Sequence, residues 1–204
     1  LQKLGLLSPR THCVHMNAIG EQDIETLAMH GAHVVHCPRS NLKLASGISP
    51  VQRLLDHGIN VALGTDGAAS NNRLSMLAEA QTASLIGKVQ HGDPQALNAW
   101  TVLEMATLSG ARALGKANQL GSIEIGKLAD LIAVDVSGSH QLPQNNVASN
   151  LVYANNGSEV LWSWIGGRLI MSNGQLQTLD YNDVTHRAIN WSSQLAALRS
   201  SLAH

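Results

Sequence analysis

Three short apolar runs, each closing on a polar residue and each followed by a helical stretch, constrain this chain most. His12 follows Leu6-Leu7-Ser8-Pro9-Arg10-Thr11, and His36 closes Ala32-His33-Val34-Val35. Asp66 stands in Gly64-Thr65-Asp66-Gly67, directly after Asn60-Val61-Ala62-Leu63. The three polar residues are spaced by 24 and 30 positions, about the length of one strand-plus-helix unit. Strands joined in this way run parallel, because only a crossover of a dozen or more residues brings the chain back to the same edge. Three polar groups at one end of three consecutive parallel strands are how a (β/α) barrel builds an active site. Glycines beside Asp66 predict a sharp turn and room for a ligand to approach.

Finer reading places strands at Thr11–His15, His33–Cys37 and Val61–Asp66, with helices at Glu21–His30, Pro50–His57 and Ser75–Ile86. A further helix, Thr101–Leu114, carries Val102, Met105, Ala106 and Leu108 at helical spacing. After Lys116 the pattern changes to short strand candidates punctuated by Gly and Asn: Leu128–Val134, Val147–Tyr153, Glu159–Ile165 and Arg168–Met171. Gly166-Gly167 and Asn173-Gly174 predict tight turns. Asn182–Leu202 reads as a closing helix with Trp191, Leu195 and Leu198 on its apolar side. The expected organisation is therefore 1–115, 116–180 and 181–204. Leu1-Gln2-Lys3-Leu4-Gly5 reads as the last turn of a helix stopped by Gly5, so the chain is expected to be part of something longer.

Composition excludes several classes. A net charge of −1 gives no basic face for nucleic acid. With 3% aromatics and no Phe there is no stacking platform for single strands. No apolar run approaches a bilayer span, and no leader pattern opens the sequence. Cys13 and Cys37 both fall in predicted buried strands, which predicts reduced thiols and a cytoplasmic setting.

Four segments resemble the amidohydrolase superfamily, and within it the methylthioadenosine/S-adenosylhomocysteine deaminases. They are His12-Cys13-Val14-His15; Pro38-Arg39-Ser40-Asn41-Leu42-Lys43-Leu44-Ala45-Ser46-Gly47; Gly64-Thr65-Asp66-Gly67-Ala68-Ala69-Ser70-Asn71-Asn72; and Leu120-Gly121-Ser122-Ile123 with Gly126-Lys127-Leu128-Ala129-Asp130-Leu131. Each is common in short form, but the ordered set is specific. The resemblance implies an α/β fold: the C-terminal part of a metal-dependent (β/α)8 TIM-type barrel, strands six to eight, then part of a small β-sandwich domain and a C-terminal helix.

It also implies the chemistry, which is zinc-dependent hydrolytic deamination of an adenosine derivative with release of ammonia. One Zn²⁺ per subunit is implied, with Fe or Mn suited to similar ligands. The substrate is a small purine nucleoside, and the implied assembly is a homo-oligomer, dimer or tetramer. Asp66 matches the family's metal-binding aspartate, which also takes a proton from the attacking water. His12 matches the histidine that steadies that water. The sequence lacks the family's His-x-His pair, and no His is followed three residues later by Glu. Guanine deaminases and triazine hydrolases share the later segments. A scaffold of the same fold without metal is the alternative from another class.

Each assignment has a simpler competitor. Asp66 could cap the following helix, and His12 could bond to backbone. His15 could line the pocket or close it. His36 could stand near substrate or bond to the loop at Pro38, while His33 is expected to face the helices. Asn41 and Lys43 could shape the pocket rim or form a solvated turn. His12, Cys13, His15, His36 and Cys37 could suggest a structural zinc site, but adjacent strand residues face opposite sides.

Overall fold

The computed structural model describes residues 1–155 and 157–202. The chain divides into two compact units, Leu1–Ala129 with Asp135–Glu159, and Asp130–Val134 with the residues from Val160 onward.

The first unit opens with a 3-10 turn, Gln2–Leu4, stopped by Gly5 in the left-handed region (φ 62°). Strand β1 (His12–Val14) is followed by α1 (Glu21–His30), β2 (His33–His36), α2 (Pro38–Lys43), α3 (Val51–Asp56), β3 (Val61–Leu63) and α4 (Met76–His91). Helix α1 has the bounds its sequence predicts, because both ends are marked locally. At its start the Gly20 N–H donates to Asp23 Oδ2 (2.9 Å), and at its end Gly31 turns left-handed (φ 62°). The three strands form one parallel sheet in the order β1-β2-β3. His12 pairs with His33, Val34 with Val61, and His36 with Leu63. Central residues of β2 and β3 are buried, as parallel strands require when helices cover them. The core is built from Ile24 and Leu27 of α1, Val34, Leu54 and Val61, all under 5% exposed.

Three predicted elements change on folding. Pro38–Lys43, read as loop, is helical, with Pro38 in its first turn. The single helix expected over Thr101–Leu114 is two, α5 (Ala99–Met105) and α6 (Leu108–Ala113). Thr107 between them leaves the helical region (φ −132°, ψ −89°). The strand expected at Val147–Tyr153 is α7 (Val147–Ser149) running into a π-helical turn, Asn150–Ala154. Its β-branched residues favour a strand locally, but packing on α4 and α5 overrides that preference. Val152 is fully buried, the Tyr153 hydroxyl meets Ser84 Oγ at 2.6 Å, and Gln81 Nε2 donates to the Tyr153 carbonyl at 3.0 Å. Residues 116–129 and 135–159, expected within the β module, accordingly lie in the first unit.

Helix α4 carries a close contact of its own. A Cβ on Gly87 would lie 2.3 Å from Leu97 Cδ1 and 2.8 Å from its Cγ, and Leu97 is 2% exposed. Gly87→Val is expected to lower stability by roughly 2 kcal/mol, the overpacking cost exceeding the small gain in helix propensity. A urea melt of the complete protein checks this. An unchanged midpoint would mean that Leu97 repacks freely.

The second unit is a four-stranded antiparallel sheet, β4 (Leu131–Val134), β5 (Val160–Ile165), β6 (Arg168–Ser172) and β7 (Gln175–Leu176), in that order. The Gly166-Gly167 and Asn173-Gly174 turns stand where predicted, at positive φ throughout. Helix α8 (Tyr181–Leu202) follows. Asp180 Oδ1 accepts from the N–H groups of Asn182 (2.9 Å) and Asp183 (3.2 Å), which starts it. Trp191, Leu195 and Leu198, read as its apolar side, are exposed. Among the described residues no helix is long and apolar enough to cross a membrane.

Candidate active site at the carboxyl ends of the strands

The loops leaving β1, β2 and β3 converge around one carboxylate. Asp66 lies three residues beyond the end of β3, not within the strand as predicted. The chain reverses there on Asp66 itself, which adopts φ 57°. Aspartate tolerates the left-handed region better than most residues, and such conformations cluster at functional sites. Gly64 serves a different close approach from the one its sequence suggests. A Cβ there would lie 2.9 Å from Val35 Cγ1 and 3.2 Å from Cys37 Sγ, so its bareness lets β3 settle against the end of β2.

Two hydroxyls hold the Asp66 carboxylate. Ser40 Oγ, from α2, donates to Oδ2 at 2.7 Å, and Ser70 Oγ donates to the same oxygen at 2.6 Å. These bonds, Ser70 first and then Ser40 and the Gly67 backbone, lower its pKa to about 2. The carboxylate is therefore ionised at any working pH, and its side chain keeps 34% of its surface open to solvent.

His15 directly follows β1 and faces that carboxylate, with Nε2 3.9 Å from Asp66 Oδ2. Its backbone is left-handed (φ 71°), while its N–H still donates to the Val35 carbonyl at 3.0 Å. Its Nδ1 donates to Asn41 Oδ1 at 2.7 Å. That bond fixes the tautomer: a neutral His15 presents a lone pair at Nε2, on the side of Asp66. Asn41 is 2% exposed, adjacent to Ser40 on α2, and its Nδ2 has no partner among the described residues. One short helix thus orients both the imidazole and the carboxylate.

His12 is the residue matched from sequence to the catalytic histidine. It begins β1 instead of ending it, and its Nε2 bonds to the carbonyl of Ala113 at 2.7 Å. Its ring lies 5.9 Å from that of His33, which shares its face of the sheet instead of facing the helices. Asn60 Nδ2 joins this second cluster, 3.1 Å from His33 Nδ1 and 2.9 Å from the Ser109 carbonyl.

His36 is 2% exposed, with Nδ1 unpartnered among the described residues. Burial, and then the charge of His15, push its pKa down to about 4, so it is neutral near pH 7. The loop bond expected for it is absent at Nδ1 among the described residues. Lys43 does not solvate freely, because its Nζ donates to the Ala69 carbonyl (2.8 Å) and to Asn72 Oδ1 (2.6 Å). Cys37 is buried, and burial first, then the Asp66 and Glu79 carboxylates, raise its thiol to about 11, which removes it as a nucleophile.

The donor set suits a metal in part. An ionised carboxylate and an oriented imidazole are zinc-type donors. Among the described residues no group of three or more His, Cys, Asp or Glu side chains could hold an ion. Ser40 and Ser70 were not singled out from sequence, although both lie inside the matched segments. Their signal was position, a hydroxyl four residues after the end of β2 and another four residues after Asp66.

Residues 1–170 match the model of the amidohydrolase family. A Teredinibacter turnerae protein named 5-methylthioadenosine/S-adenosylhomocysteine deaminase is 49% identical over 199 residues, which is 98% of this chain and 45% of that protein. A Methanothermobacter thermautotrophicus protein named 5'-deoxyadenosine deaminase is 47% identical over 180 residues, 88% of this chain and 42% of that one. The crystal structure of an adenosine deaminase from Xanthomonas campestris with bound zinc superposes with a TM-score of 0.94 at 42% identity. It is matched over 96% of this chain and 45% of its own length. This chain therefore spans less than half the length of the relatives it matches. With the family model covering residues 1–170 and a relative 49% identical over 98% of this chain, the chain belongs to the amidohydrolase family.

Proposed function

We propose that this chain is the C-terminal part of a zinc-dependent hydrolase that removes ammonia from an adenosine derivative, 5'-methylthioadenosine or S-adenosylhomocysteine. In this reading β1, β2 and β3 are the last three strands of a (β/α)8 barrel, and β4 to β7 belong to a small β-sandwich. The complete protein is a cytoplasmic homo-oligomer. The observation that carries the reading is the pairing of Asp66, held by two hydroxyls, with a tautomer-fixed His15 beyond the carboxyl ends of β3 and β1 in one parallel sheet. The names of the relatives supply the substrate class.

The residues present fit part of a zinc site. Asp66 would be a ligand, and the nitrogen ligands the family uses would come from the remaining length of the protein. Zinc, when bound, lowers the pKa of its water from about 15.7 to roughly 7. Asp66 accepts a proton from the attacking water, and its ionised state at neutral pH suits it to that role. His15, through Nε2, orients that water and stabilises the charge that develops as its oxygen adds to C6 of the purine. The 6-amino group leaves as ammonia with the proton Asp66 has taken, so water and the aminopurine become the 6-oxopurine and ammonia. His36 and Asn41, both buried beside these loops, are assigned to the substrate side of the site, Asn41 through its hold on His15.

The test is ammonia release from the complete zinc-loaded protein given 5'-methylthioadenosine, S-adenosylhomocysteine and 5'-deoxyadenosine in turn. Stoichiometric release from at least one is expected. Failure with all three, in a protein that binds zinc, overturns the reading and favours a scaffold.

A further inference from the structure

We infer that Glu79 is a positioning residue whose buried carboxylate sets, from behind, the spacing of the two loops that carry Asp66 and Ser40. The inference rests on the proposed role of Asp66.

Glu79 lies in the first turn of α4 and is fully buried. A carboxylate is almost never buried without partners, because leaving water costs several kcal/mol. Its partners come from both loops. Oε1 accepts from Asn71 Nδ2 at 2.6 Å, and Oε2 accepts from the Arg39 backbone N–H at 3.2 Å. The same Asn71 Nδ2 donates to the carbonyl of Thr65, the residue before Asp66, at 2.9 Å. Arg39 is the residue before Ser40, whose hydroxyl holds Asp66.

The contacts close into a ring. From Glu79 it runs through Asn71 to the Thr65 carbonyl, on to Asp66, across to Ser40, and back through Arg39 to the other oxygen of Glu79. The Asn71 amide cannot turn over within it, since its Oδ1 accepts from the Arg73 N–H at 3.3 Å while its Nδ2 faces two acceptors. The Arg39 guanidinium Nε lies 3.8 Å from Oε1 and offsets the buried charge. Burial raises the pKa of Glu79 and these bonds oppose the rise, as expected of a carboxylate retained for its geometry. Lys43 straps the same two loops on the exposed side. Glu79 does so where water does not compete. It touches neither the proposed substrate nor metal, so it acts through Asp66 and Ser40.

The variant that tests this is Glu79→Gln, which keeps the volume but sets an amide NH₂ against one of two N–H donors. In the complete protein it is expected to lower kcat about tenfold or more with KM within about twofold, the effect of losing one charged hydrogen bond. Backbone hydrogen exchange is expected to quicken in both 38–43 and 64–71. The loss in Glu79→Gln with Ser40→Ala is expected to be smaller than the product of the single losses, because both break one ring. Exchange that quickens only within α4, an unchanged kcat, or losses that multiply would overturn the inference. Should Glu79→Gln fail to fold, Asn71→Ala is read in the same way, with faster exchange in 64–71 and lower kcat expected and normal values overturning. If the wild-type protein releases no ammonia, the proposed function fails, and the exchange pattern alone still decides whether Glu79 positions the loops.

Discussion

Asp66→Asn in the complete protein is expected to lower turnover by about three orders of magnitude and to weaken zinc binding. General-base contributions are typically 10² to 10⁴-fold, and here the same group is assigned a ligand's role as well. The amide is nearly the same size as the carboxylate, so the loss measures charge and basicity rather than packing. It also replaces the charged acceptor shared by Ser40 and Ser70 with an amide, whose oxygen remains an acceptor for these hydroxyls in this partly open site. The fold should therefore survive, because the buried links of this loop run through Thr65 and Asn71. Steady-state kinetics, metal content per subunit and a thermal melt measured on one preparation separate these effects. Near-normal turnover with full zinc content would remove Asp66 from the reacting centre.

The second large effect discriminates between two histidines three residues apart. His15→Ala is expected to cost roughly 10² to 10⁴-fold in turnover, with a smaller effect on zinc content. His12→Ala is expected to stay within a few-fold. The reason is geometric. His15 Nε2 stands 3.9 Å from Asp66 with Nδ1 held by Asn41, whereas His12 Nε2 is engaged by the Ala113 carbonyl at the far end of the strand. His15→Gln keeps a polar group but not the basic nitrogen, so it should recover little. Loss of turnover in His12→Ala with a wild-type His15→Ala would show that in the complete protein the roles are reversed.

These two histidines show where sequence reading reached its limit. The motif His12-Cys13-Val14-His15 offers two imidazoles, and the resemblance pointed to the first. One opens the three-residue strand and the other follows it directly, and alternation along the strand cannot say which of them meets Asp66. That choice came from the left-handed turn at His15 and from Asn41, which is 26 residues away in sequence. The serines on Asp66 were hidden for a similar reason. Ser40 reaches it from a helix after the preceding strand, a contact that no local pattern records.

What the sequence by itself determined is the part governed by short-range rules. The alternation of strands and helices, the parallel order β1-β2-β3, the bounds of α1 and the hairpin turns at Gly166-Gly167 and Asn173-Gly174 follow from periodicity, crossover length and capping, and they stand in the structure. The arrival of Asp66 at the carboxyl end of this stretch of chain follows from the same rules, although the strand itself stops at Leu63. Tertiary structure alone decided the rest. Residues 147–154 became helical because burying Val152 and Tyr153 on α4 outweighs a strand preference worth about 1 kcal/mol at most. The carboxylate of Asp66 was joined to His15, Ser40 and, from behind, Glu79 because packing three strand ends side by side brings together groups that the chain itself keeps 13 to 51 residues apart.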